Sequence, residues 1–182
     1  GDTQKSDIFV DVKADFWAAA AILKLKNKGV ISEAEYFRPN DNVSREEFVK
    51  MISVGFGLKA NGSSETFSDV NSGAWYAEFV KAAADNGVIG GIGNNLFGIG
   101  QPITRQDAAA IVGRLIADKL TEKKTGSFTD ENEIADYAKE AVSGLSAVKI
   151  INGYEDGTFC PHNYLTRAEC AKILAAVFEL AK

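Results

Sequence analysis

The sequence predicts a mainly α fold made of three tandem helix-loop-helix repeats, and three observations carry that reading. One set of landmarks recurs three times in the same order. The stretches between the landmarks have helical apolar spacing. Each copy also ends in a helix-capping signal.

The first landmark is "FVDV" at 9–12, "FSDV" at 67–70 and "FTDE" at 128–131, followed in turn by Trp17, Trp75 and Tyr137. Four and five positions after the aromatic stand Ala21-Ile22, Phe79-Val80 and Ala141-Val142, the rhythm of an amphipathic helix. That helix stops at Gly29 in "FWAAAAILKLKNKGV" and at Asn86-Gly87 in "WYAEFVKAAADNGVI", while the third copy has Lys149 at the same place. A β-branched pair follows, and in repeats 2 and 3 the turn-forming stretches "GGIGNN" and "NGYEDG". The loop then reaches a shared Phe: Phe37, Phe97 or Phe159.

Seven residues beyond each Phe come "SREE" at 44–47, "TRQD" at 104–107 and "TRAE" at 166–169. A Ser or Thr followed three residues later by an acid is a capping signal, and it predicts second helices with apolar faces at Phe48, Met51, Ile52; Ala108, Ile111, Val112; and Cys170, Ile173, Leu174. Capping explains Ser44, Glu47, Thr166 and Glu169. It leaves Arg45, Arg105 and Arg167 unexplained, because a cation at the first helical position opposes the helix dipole. The arginines recur at 60 and 62 residues, too long for ankyrin or tetratricopeptide units. The repeats are expected at 7–60, 65–120 and 126–182. One such unit is too small to bury its own core, so the capped helices should pack around a shared one with approximate threefold symmetry, as one compact domain.

Composition narrows the function. A net charge of −5, with 20 basic residues dispersed among 25 acidic ones, offers no basic stripe for nucleic acid. No apolar run is long enough to insert in a membrane, and Gly1–Ser6 reads as a trimmed start rather than a signal peptide. Cys160, Cys170 and the single histidine, His162, form neither a disulfide framework nor a metal site, and no set of nucleophile and base is present. A Cys160–Cys170 bridge and a plainly buried Cys170 both remain open. "NGYEDGT" lacks the alternating ligands of a calcium loop, and "GIGNNLFGIG" lacks the Lys-Ser/Thr of a phosphate loop. No cofactor, no metal and no catalytic residue is expected.

"FSDV" with a tryptophan six residues after its Asp, Gly-Val-Ile after the first helix, "DGTF.P" and "TRAE" together resemble the S-layer homology domain, in three copies covering about residues 7–180. The resemblance implies a three-pronged spindle with a central helical bundle. It also implies an extracellular module of a Gram-positive-type cell wall, monomeric and attached to a larger surface protein. Its partner would be secondary cell-wall polysaccharide ending in pyruvylated N-acetylmannosamine, held in grooves between prongs. By the same resemblance, Arg45, Arg105 and Arg167 are the main ligand contacts, with Asp11, Asp69, Asp130, Trp17, Trp75, Tyr137, Gly29, Gly87 and Lys149 close by. A two-pronged guanidinium beside free helix N–H groups suits a pyruvyl carboxylate.

The residues also allow quieter roles. Each Arg can pair with a nearby carboxylate, such as the Asp of the F-x-D-V element, and stabilise the fold; the Asp can turn the chain into the first helix, and the aromatics can be core. A protein-binding scaffold and a carboxylate-dependent glycan-active enzyme are the alternative functions. If the glycine admits a sugar, the grooves using Gly29 and Gly87 should bind better than the one using Lys149, which on sequence order would be the groove of Arg167.

Overall fold

The computed structural model describes residues 7–182, so the trimmed start read at Gly1–Ser6 lies outside the described residues. Six α-helices form among them: α1 (Ala19–Asn27), α2 (Arg45–Phe56), α3 (Ala77–Asp85), α4 (Arg105–Leu115), α5 (Asp136–Ala147) and α6 (Arg167–Leu180). None is long and apolar enough to cross a membrane. The fold is mainly α, two helices to a repeat, as the periodicity predicts.

The second helices start where the caps place them. Ser44, Thr104 and Thr166 are extended, and each side-chain oxygen accepts from the N–H three residues on, at 3.2, 3.3 and 3.1 Å. Only α6 has the reciprocal bond, Thr166 N–H donating to Glu169 at 3.1 Å. The carboxylates of Glu47 and Asp107 instead accept from arginines of another repeat, so Glu47 does not close the capping box its spacing predicts.

Just before these caps the three repeats meet. Val43 N–H donates to Leu165 O at 3.0 Å, Leu165 N–H to Ile103 O at 3.4 Å, and Ile103 N–H to Val43 O at 2.9 Å. The three bonds close a ring, and all three side chains are fully buried. Around it, one continuous apolar core draws on every repeat, including Phe37, Phe48, Phe97, Phe159 and Leu174.

Helix pairing runs between repeats rather than within them. Helix α3 packs on α2, α5 on α4, and α1 on α6, which carries the sequence of contacts from the third repeat back to the first. Close approach needs small residues: a Cβ on Gly113 of α4 would meet Ala141 Cβ of α5 at 2.5 Å.

The first helices end in a left-handed residue, Gly29 (φ 76°), Gly87 (φ 68°) or Lys149 (φ 60°). In each case the next N–H returns five residues, Val30 to Leu25, Val88 to Ala83 and Ile150 to Leu145, at 2.9–3.0 Å. The glycines therefore have a conformational reason to be there, and a Cβ on Gly29 or Gly87 would meet nothing within 4 Å. The two cysteines are free, and Cys170 is buried, which pushes its thiol up to about 12.

Asp85 ties the connection between repeats 1 and 2 to α3. Its buried carboxylate accepts from the N–H groups of Asn61, Gly62 and Ser64 at 2.7–2.9 Å and from Lys81 Nζ at 2.8 Å. Lys81 first, then the Ser64 hydroxyl and the loop N–H groups, hold this carboxyl well below the usual range, with burial opposing them.

Two outcomes are expected. Lys149→Gly should raise stability by roughly 0.5–1 kcal/mol, about 1–4 °C in melting temperature, because the left-handed conformation costs an L side chain more than glycine; an unchanged or lower melting temperature contradicts this. Asp85 has a depressed folded pKa, so its contribution is present above the unfolded value and is lost as pH falls below about 4. Denaturant titrations of wild type and Asp85→Asn should differ at neutral pH and converge in acid.

Candidate functional site

Each F-x-D-V aspartate clamps a turn. Asp11 accepts from Phe37 and Arg38 N–H, both at 2.8 Å; Asp69 from Phe97, Gly98 and Ile99, at 2.8–3.0 Å; Asp130 from Phe159 and Cys160, both at 2.9 Å. The residue after each Phe has a positive φ: Arg38 59°, Gly98 94° and Cys160 54°. Burial works against the Asp69 charge, but the N–H groups of Phe97, Ile99 and Gly98 hold its carboxyl below the usual value. All three carboxylates are occupied by the fold. The carboxylate that pairs with a capping Arg is therefore not this Asp; Arg45 pairs with Asp107 and Arg167 with Glu47.

The clamped turn instead presents a carbonyl to an arginine from another repeat. Arg45 Nε donates to Phe97 O at 2.9 Å, Arg105 Nε to Phe159 O at 2.9 Å, and Arg167 Nε to Phe37 O at 2.8 Å. Each guanidinium also lies over the ring of the same Phe, 5.1, 4.7 and 4.8 Å from its centroid. The first helical N–H groups are taken too: Arg45 donates to Gln101 O, Arg105 to Asn163 O and Arg167 to Asp41 O, at 2.8–2.9 Å. The free helix N–H donors expected on sequence grounds are thus satisfied by backbone of the neighbouring repeat, and an anion would meet the guanidinium rather than the helix end.

Two clefts form over this network. The first, about 340 Å³, is lined by the loop leaving Gly29, by Glu47, Lys50 and Met51 of α2, by Trp75 of repeat 2 and by Arg167 of repeat 3. The second, about 440 Å³, has Gly90–Ile92 of the loop leaving Gly87, Asp107 and Arg114 of α4, Tyr137 of repeat 3 and Arg45 of repeat 1. Each cleft draws on all three repeats. In the first, Arg167 Nη1 pairs with Glu47 at 3.0 Å; in the second, Arg45 Nη1 pairs with Asp107 at 2.6 Å. Nη2 of both arginines has no hydrogen-bond partner among the described residues. Three cations, Arg38, Lys50 and Arg167, face one carboxylate in the first cleft, and Arg45 and Arg114 face one in the second.

The third interface differs. Glu169 is committed to its capping box, so Arg105 donates through Nη2 to Asn152 O at 2.6 Å and stacks over Tyr154 at 4.9 Å. The loop leaving Lys149 therefore meets Arg105, not Arg167. The assignment of Arg167 to the Lys149 groove is wrong, because the arginine of each repeat reaches across to the following repeat's loop, and Arg167 closes the circle at the loop after Gly29.

Trp17, Trp75 and Tyr137 are half-exposed rather than core, at 55%, 53% and 58%. Lys50 Nζ lies 5.6 Å from the Trp75 ring and Lys172 Nζ 5.4 Å from Trp17. The Tyr137 hydroxyl donates to Asp107, and burial followed by that bond pushes its phenol up to about 12. Gly29, Gly87 and the three Asp do not line the two clefts; they shape the chain that does. Sequence reasoning missed Glu47 and Asp107 as cleft walls. Their spacing from the cap is the capping signal itself, so it could not distinguish the two uses.

Comparison with known proteins places the repeats in a family. The S-layer homology domain model matches residues 8–49, 66–109 and 127–171. An exoglucanase of Acetivibrio thermocellus is 34% identical over 98% of the chain, which spans 17% of that protein. An amylopullulanase of Thermoanaerobacterium thermosulfurigenes is 35% identical over 94% of the chain, which spans 9% of it. A cellulosome-anchoring protein of Acetivibrio thermocellus is 28% identical over 76% of the chain and is spanned to 32%.

The Arg45–Asp107 pair should behave as a buried inter-repeat bond. Arg45 is 5% exposed, so Arg45→Ala is expected to cost about 3–5 kcal/mol by leaving the Asp107 charge without its cation and the Phe97 carbonyl without its donor. In a denaturant double-mutant cycle with Asp107→Ala the two losses should couple by more than about 0.5 kcal/mol; strictly additive losses would remove the pair from the fold's support.

Proposed function

Since the chain belongs to the S-layer homology domain family, we propose that it is a noncatalytic anchoring module that holds a larger surface protein to the cell wall. Its ligand is a secondary cell-wall polysaccharide ending in a pyruvylated N-acetylmannosamine, bound in the clefts between repeats, and its location is extracellular. The observation that carries this reading is a surplus of cations in both clefts of a chain whose net charge is −5, the first cleft walled by the half-exposed rings of Tyr36 and Trp75 and the second by that of Tyr137. A pyruvyl ketal places one carboxylate on an otherwise neutral sugar. The unpartnered Nη2 of Arg167 or Arg45 can donate to that carboxylate, and the indole or phenol face can lie against the sugar's C–H face.

The relatives favour tethering over catalysis by this part. The chain spans small fractions of an exoglucanase and an amylopullulanase, and a larger one of a protein named for anchoring. Modest affinity in each cleft can still give durable attachment, since two sites on one polymer act at high effective concentration.

Cosedimentation with cell-wall sacculi tests the ligand: binding is expected, and loss of it when pyruvyl groups are removed. Undiminished binding after that removal rejects the pyruvylated terminus, and no binding to intact sacculi favours a protein scaffold. Ranking the clefts calls for variants that spare the core arginines. Trp75→Ala and Tyr137→Ala should each weaken binding of a pyruvylated disaccharide by roughly 3–10-fold, more than Trp17→Ala at the Lys149 interface; equal losses in calorimetric titrations would end the ranking.

A further inference from the structure

The cleft over Arg45 does not end at Tyr137. Beyond the ring, between α4 and α5, lies a second cavity of about 200 Å³ with Gly113, Lys123 and Glu140 in its walls. Ala110, Arg114 and Tyr137 line both spaces, so the two adjoin across a shared wall. That wall is rigid. Tyr137 is tied to Asp107 through its hydroxyl, Arg114 donates through Nη1 to Val88 O at 2.9 Å, and the helices touch closely at Gly113.

Its charge is specific to this cleft. Nine positions after the capping arginine the repeats have Val54, Arg114 and Ala176, so a guanidinium at this place on the second helix is present only here. Arg114 and the exposed Lys123 face one carboxylate, Glu140, in the outer cavity, while Asp107 is already engaged by Arg45 and Tyr137. Burial and Asp107 raise the Tyr137 pKa, and the charges of Arg45 and Arg114, which line the same cleft, both oppose that rise.

We infer that this cleft takes two successive sugars of a glycan, and that its outer half reads a second anionic substituent, a carboxylate or a phosphate, through Arg114 and Lys123. The inference rests on the proposed glycan binding: the terminal anion belongs to Arg45, and the added group lies one residue further along the chain. The other two repeats have no arginine at the position of Arg114, so this outer subsite belongs to the Arg45 cleft alone.

Three synthetic disaccharides test this, all with a pyruvylated terminal sugar and with a second sugar that is neutral, carries a carboxylate, or carries a phosphate. The chain should bind one or both of the charged forms about tenfold tighter than the neutral one. The tighter of the two identifies the source of the charge. Amide signals of Gly113 and Lys123 should move in NMR titrations with the preferred form and stay still with the pyruvylated monosaccharide. Lys123→Ala and Arg114→Gln, the latter retaining a donor for Val88, should each reduce the preference toward unity. Equal affinity for all three disaccharides, or a preference that survives both variants, overturns the outer subsite alone. Failure of every pyruvylated probe to bind overturns the parent reading and the subsite with it.

Discussion

The closed ring of backbone hydrogen bonds among Val43, Ile103 and Leu165 is the constraint on which the rest depends. Three N–H and three C=O groups at the centre of an apolar core would each be costly if unpaired, and each finds its partner only when all three repeats are in place. The ring also fixes where the caps lie. Ser44, Thr104 and Thr166 follow it immediately, so the three second helices leave the axis with their first turns against one another's loops. The arginines begin from that geometry.

Two of the arginines, Arg45 and Arg167, then serve fold and cleft at once. Nε and the first helical N–H bind carbonyls of the next repeat, the guanidinium plane lies on a buried Phe, and its outer edge lines a cleft. The cation that opposes the helix dipole is repaid by a carbonyl, an aromatic face and, in two of three cases, a carboxylate. Most of the order a ligand would otherwise have to impose on this side chain is already present, which lowers the entropic cost of binding.

The sequence made the helices, their caps and the threefold repetition legible, because these depend on residues within a turn or two of each other. The capping Ser and Thr, the stop at Gly29 and the apolar faces were all local signals. What could not be read was which repeat meets which. Nothing within "TRAE" says that Arg167 lies over Phe37, some 130 residues away, rather than over Phe159 nearby. That is why Lys149 was matched to the wrong arginine. The same limit hid the work of Asp11, Asp69 and Asp130: they act on the arginines only through the turn they clamp, and no pairwise spacing reveals an indirect contact. Glycine was half legible. Gly29 and Gly87 were read as helix stops and also as room for a sugar, and the left-handed conformation accounts for the first.

In the vocabulary of quaternary structure, the helix pairing of α2 with α3, α4 with α5 and α6 with α1 is a heterologous, head-to-tail interface repeated until it closes. The molecule is a cyclic trimer written in one chain. A true trimer of identical subunits would hold three identical interfaces and would come apart on dilution; the covalent version is independent of concentration and lets each junction carry its own residues. Glu47, Asp107 and Glu169 occupy equivalent places and have taken different partners. Asymmetry of that kind is open only to a ring whose subunits are linked.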